Sequence, residues 1–218
     1  MRSLRCSAAP SSWTTWSPNL SAGPPAASPV IEVAAALVVW LGAALVVLAD
    51  ARRGLALGLA VVTIGFAILA WGSGQPVGAI ALVVGGMTGA LRCWTAGPAT
   101  WGLMPSGSTP RLVLCVAAGL LSLWISASVT ATPGGPLLFA VLVVLGLMAA
   151  RVLAGGDAVV DRTAIACFAL ALASAPALAS SIPTGPVPYI FGALIAAAVI
   201  VAPATLPKGA ARSGKDGG

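Results

Sequence analysis

Residues 31–71 read IEVAAALVVWLGAALVVLADARRGLALGLAVVTIGFAILAW, two apolar blocks separated by Asp50, Ala51, Arg52 and Arg53. Each block is close to the roughly 20 residues that cross a bilayer core as a helix. Apolar residues run on without the every-second-residue alternation that a lipid-facing barrel strand needs, so the blocks are helices and not strands. A short polar break between two such blocks predicts a hairpin of antiparallel transmembrane helices.

The same pattern continues through the chain. Further spans are predicted over 76–92, 112–131, 136–153, 164–182 and 188–206, which with 31–49 and 54–71 make seven. The third is the shortest and carries Gly85 and Gly86 at its centre. Composition agrees: of 218 residues 59% are hydrophobic and 7% charged, with a mean hydropathy of +1.02. A soluble domain carries about 25% charged residues, and this chain has too few to cover a water-facing surface. A disordered chain, which needs low hydrophobicity and high net charge, is excluded for the same reason. The expected class is all-α, a polytopic integral membrane helix bundle of about seven transmembrane helices.

Residues 1–29 are rich in Ser, Pro and Ala, contain no acid, and hold no apolar run as long as a signal-peptide core, so they are expected to be a disordered tail. Beyond them, nine basic residues occur, and in a seven-span chain all nine fall on one side. Arg52 and Arg53 sit in the first break, Arg92 and Arg111 bound the third, Arg151 and Arg162 flank the fifth, and Lys208, Arg212 and Lys215 lie in the tail, 207–218. The breaks GSGQ, TATPGG and IPTGPVP carry no charge. By the positive-inside rule the basic side is cytoplasmic, which places the N-terminus outside and the C-terminus inside. Two lysines against nine arginines, among abundant Ala, Gly and Pro, suggest a GC-rich coding sequence and thus the cytoplasmic membrane of a bacterium. The expected surroundings are the lipid bilayer and other membrane subunits. No run of four or more basic residues occurs, so nucleic acid is not an expected partner.

The residues that are missing limit the chemistry. With no histidine, a Ser-His-Asp unit, axial-His haem and His-containing zinc sites are all excluded. Cys6, Cys93, Cys115 and Cys167 are dispersed, with no CxxC pair, and are expected to behave as small hydrophobes. Both lysines, Lys208 and Lys215, lie in the tail, so no span offers a Schiff-base amine. No phosphate-binding glycine loop is present. No catalytic residue, cofactor or metal is therefore expected, and the chain is not expected to be an enzyme.

Glu32 is the one acid within a predicted span, and intramembrane ionisable groups are functional candidates. Its place as the second residue of the first span also suits an edge residue that reaches water and is favoured by the helix dipole. Asp157 and Asp161, four apart, could bind a cation, but Asp161 and Thr163 equally suit the cap of the sixth span. Pro176 is predicted to kink that span, with Ser174, Ser180 and Ser181 near enough to partner the freed carbonyls; Pro203 should do the same in the seventh. Gly54-x-x-x-Gly58 and Gly85-x-x-x-Gly89 permit close helix approach. Trp71, Trp94 and Trp101 fall near span ends, as interfacial indoles do, whereas Trp40 and Trp124 are expected between helices.

Residues 31–92 resemble the first three helices of the J-type (subunit 6) membrane subunit of NADH-quinone oxidoreductase. The likeness is carried by the break Asp50-Ala51-Arg52-Arg53 leading into Leu55-Ala56-Leu57, the turn from Gly72 to Pro76, and a third helix opening Val77-Gly78-Ala79 with paired Gly85-Gly86. That family has an acid and an aromatic near the centre of its third helix and typically five helices in all. Here 81–86 read ALVVGG, so no functional residue carries over. The expected function is that of a non-enzymatic structural or accessory membrane subunit. The alternatives are a small permease for an uncharged solute, working around Ser174, Pro176 and Ser180, and the accessory subunit of a respiratory proton-pumping complex that the resemblance implies.

Overall fold

The computed structural model describes residues 28–95, 109–129, 134–154, 158–179 and 185–202. These form α1 (Pro29–Leu48), α2 (Arg52–Gly72), α3 (Pro76–Thr95), α4 (Thr109–Val129), α5 (Gly135–Leu153), α6 (Ala158–Ser174), the single turn α7 (Pro176–Ala179) and α8 (Val187–Val201), with no strand among the described residues. Helices α1 to α5, and α6 joined with α7, are long and apolar enough to cross a membrane. The chain is a multi-pass helical membrane protein. The tails 1–27 and 203–218, together with Cys6, Trp101, Asp157, Ser180, Ser181 and Pro203, lie outside the described residues.

Backbone chemistry sets the boundaries. At the end of α2, Gly74 takes φ +78, its N–H donates to the Trp71 carbonyl, and the Gln75 N–H donates to Ala70. This is the paired bonding of a Schellman stop, which favours glycine because only it enters the left-handed region freely. Gln75 in turn accepts from Ala79, so α3 restarts at once. The third span is thus a 20-residue helix, 76–95, with Gly85 and Gly86 inside it. Pro176 brings no N–H and ends α6, separating it from the short α7. Ala202, which precedes a proline, turns extended at ψ 128 and stops α8 after 15 residues, about 22 Å of helix.

Two expectations are corrected here. Helix α6 begins at Ala158 and not near 164, so Asp161 lies in its first turn and Thr163 inside it. The Thr163 hydroxyl donates to the Val159 carbonyl one turn back at 2.8 Å, so neither residue caps the helix. Trp124 is 70% exposed and faces away from the bundle. It lies five residues from the end of α4, the same end of the bundle as the exposed Trp71, where an indole suits the bilayer interface. Trp40 does pack inward: its indole N–H donates to the Cys115 carbonyl at 3.3 Å.

Between these apolar helices lipid offers no hydrophobic driving force, so association depends on close fit. In the α1–α2 hairpin, a Cβ added at Gly42 would lie 2.7 Å from the Val62 nitrogen, and one at Gly58 would lie 2.9 Å from the Val46 nitrogen and 3.0 Å from the Gly42 carbonyl oxygen. The two backbones meet there with no room for a side chain. Gly78, Gly85 and Gly89 of α3 lie against Tyr189, Ala193 and Ile200 of α8, so those two helices run parallel. Gly192 on the other face of α8 lies against Ala173 of α6, and Arg162 reaches Ala202, so α6 and α8 are antiparallel. Helix α8 is therefore wedged between α3 and α6.

Candidate functional site

These pairings carry the charged residues to one end of the bundle. Asp50 follows α1, Arg151 lies in the last turn of α5, and Arg111 lies in the first turn of α4. Arg151 Nη2 donates to Asp50 Oδ1 at 2.6 Å, and Arg111 Nη1 donates to Oδ1 and Oδ2 at 3.0 and 3.1 Å. The Arg151 side chain is 4% exposed and that of Asp50 40%. Burial pushes the Asp50 carboxyl up, but the hydrogen bonds from Arg151 and Arg111 and the charges of both outweigh it, so Asp50 titrates below the usual carboxylate range. Arg151 Nε has no partner among the described residues, where Asp50 is the group that compensates this buried cation. Arg111 sits at a helix N-terminus, where a cation is disfavoured by the dipole, and Asp50 offsets that too.

Other charges at this end also link helices. The Arg53 guanidinium stacks 5.4 Å from the centre of the Trp94 ring, joining α2 to α3. Arg162 Nη1 donates to the Ala202 carbonyl at 2.9 Å, satisfying a terminal acceptor just beyond α8. Cys93 Sγ lies 3.9 Å from the Thr163 hydroxyl, between α3 and α6. Asp161 Oδ1 is buried without a partner. Among the described residues no group of three His, Cys, Asp or Glu side chains is positioned to hold a metal ion.

At the opposite end Glu32 is the one charged side chain among the described residues. The start of α1, the end of α4 and the start of α5 enclose a cleft of about 500 Å³. It is lined by Pro29, the partly buried Glu32, the buried Ala36 and Phe139, and Leu123, Ser126 and Gly134. Gly134 stands at φ +118 before α5, a conformation that strains any residue bearing a Cβ. Ser126 donates to the Leu123 carbonyl at 3.1 Å. The Glu32 backbone N–H donates to the Ser28 carbonyl at 3.3 Å, but its side chain makes no hydrogen bond or ion pair among the described residues.

The remaining candidates fall elsewhere. Ser174 is 1% exposed and donates to the Leu170 carbonyl of its own helix at 3.1 Å. Its hydroxyl is therefore spent within its own helix, in the last turn before the Pro176 break. Glu32 and the Ser174–Pro176 break are not brought together: one lies between α1, α4 and α5, the other at the end of α6. The Asp50, Arg111 and Arg151 cluster escaped the sequence reading, which took Asp50 as part of a polar break and Arg151 as a span-end residue reaching the headgroups; Arg151 is instead buried against Asp50. No family model, curated protein or solved structure matches the chain.

Proposed function

We propose that this multi-pass membrane protein is a non-enzymatic accessory subunit, held in the cytoplasmic membrane of a bacterium and acting by association with another membrane protein. The observation that carries the reading is how the reactive side chains are used. Arg111 of α4 and Arg151 of α5 both donate to Asp50 just beyond α1, Arg162 is bonded to a helix terminus, and Ser174 is turned back onto its own helix. These contacts make a rigid bundle and leave its outer face to lipid and to protein, where small residues and close fit govern recognition.

The subunit reading predicts that affinity-tagged protein, extracted in a mild detergent and purified at native expression, brings with it at least one membrane protein in constant stoichiometry. Purification as a sole, monodisperse species would overturn it. The basic end, with Arg52, Arg53, Arg92, Arg111, Arg151 and Arg162, faces the cytoplasm. Reporter fusions should then find the beginning of α1 outside and the region beyond α8 inside. Both on the same side would overturn this orientation.

A further inference from the structure

We propose that the cleft between α1, α4 and α5 binds a lipophilic monocation, a molecule with one positive charge on an apolar body, and that Glu32 is its counter-charge. This is independent of the subunit reading. A cleft of about 500 Å³ lies within the range of small-molecule sites, about 300–1,000 Å³. A turn of helix about 10 Å wide and 5.4 Å long occupies roughly 420 Å³, so the cleft would admit one turn of a partner helix and leave the rest outside. The size therefore favours a compact molecule over a protein segment.

Chemistry selects among compact molecules. The walls are apolar: Val33, Leu37, Leu123 and Phe139 offer a body hydrocarbon and an aromatic ring, and Gly134 and Gly135 add no side chain. Glu32 is the only ionisable residue among those lining the cleft. With no partner among the described residues, its carboxylate has a charge to offer at the edge of a low-dielectric space. There, attraction to a cation is several-fold stronger than in bulk water. An anionic amphiphile would meet repulsion, and a neutral one would leave the carboxylate uncompensated. Glu32 lies in the first turn of α1 and Ala36 one turn deeper, so the charge of a bound cation can stay at the end of the bundle while its apolar body lies beside Ala36. A cation arriving along the interface needs no passage through the bilayer core.

Tetraphenylphosphonium is a suitable probe. Radiolabelled probe should bind the full-length protein in lipid nanodiscs saturably and above the background of empty discs. Glu32→Gln should weaken that binding by about tenfold or more, a loss typical of removing one charged partner. Ala127→Trp, which fills the cleft from α4 and leaves Glu32 in place, should abolish it, with Glu32→Asp retaining part of the affinity. Size-exclusion profiles and melting curves matching the parent protein show that the variants are folded. Absence of saturable binding by the parent would overturn the proposal. So would binding that survives both Glu32→Gln and Ala127→Trp, or a bound phospholipid that the probe cannot displace.

Discussion

Gly58→Leu is expected to deplete the folded bundle, lowering its stability by about 3 kcal/mol or more, the upper range for overpacking a filled interior. The first carbon of the new side chain would stand 2.9 Å from a backbone nitrogen of α1 and 3.0 Å from a carbonyl oxygen. Neither can move aside as a flexible side chain does, so the two helices must part along their length. Separation would also undo the neighbouring fit of Gly65 against Val39 and of Gly42 against Val62. Gly146→Leu is the control: a Cβ at that exposed position in α5 meets nothing within 4 Å. Fluorescence-detected size exclusion after a temperature ramp should show the Gly58 variant aggregating well below the parent and the Gly146 variant alongside it. Equal behaviour of the two would mean that the hairpin is not held by backbone proximity.

Asp50→Ala should be nearly as damaging. It strands Arg151, which is 4% exposed on its side chain and whose Nε has no partner among the described residues even in the intact protein. Breaking a fully buried ion pair from one side costs about 3–5 kcal/mol, and because the Asp50 side chain is 40% exposed the figure here is discounted to about 2–3 kcal/mol. Asp50→Ala combined with Arg151→Leu should recover most of the loss, since it removes the buried cation and leaves only Arg111, whose side chain is 36% exposed and can be solvated. An unfolding equilibrium in mixed micelles measures both, and a double variant as unstable as the single one would refute the pairing. The same carboxylate gives a pH signature. Its folded pKa lies below the unfolded one, so its contribution is fully present above the unfolded value of about 3.8 and is lost as pH falls through the lower folded value. Stability measured from about pH 5 down to about pH 2 should fall for the parent, and Asp50→Asn should remove that component of the fall.

The hairpin and the sidedness of charge were legible because apolar length and arginine placement are local properties. Helix ends were less so: 164 was expected to open the sixth span, but Asp161 and Arg162 are tolerated in its first turn, where the basic end of the bundle supplies polar surroundings. Trp124 misled because hydropathy tells depth along a helix and not which side faces lipid. The Asp50–Arg151 contact joins residues 101 apart in sequence, through the parallel packing of α1 and α5, and two oily cylinders carry no pattern that announces such a neighbour. One local clue existed, since Asp50 is the only acid in the first break. The cleft around Glu32 had none. It arises from the placement of α4 beside α1 and α5, and the sequence showed only a lone acid at a helix start.

The position of α8 has a bearing on how the protein is made. Translation delivers α3 and α6 to the bilayer before α8, so the notch at Gly85 lacks Ala193, and Ala173 lacks the notch at Gly192, until α8 is made. Assembly is then ordered in time: the α1–α2 pair can close early, and the α3–α6 side locks only when α8 slides into place like a keystone. A polypeptide cut short before residue 187 would be an open arch, with the Gly85 notch empty and Ala173 unseated.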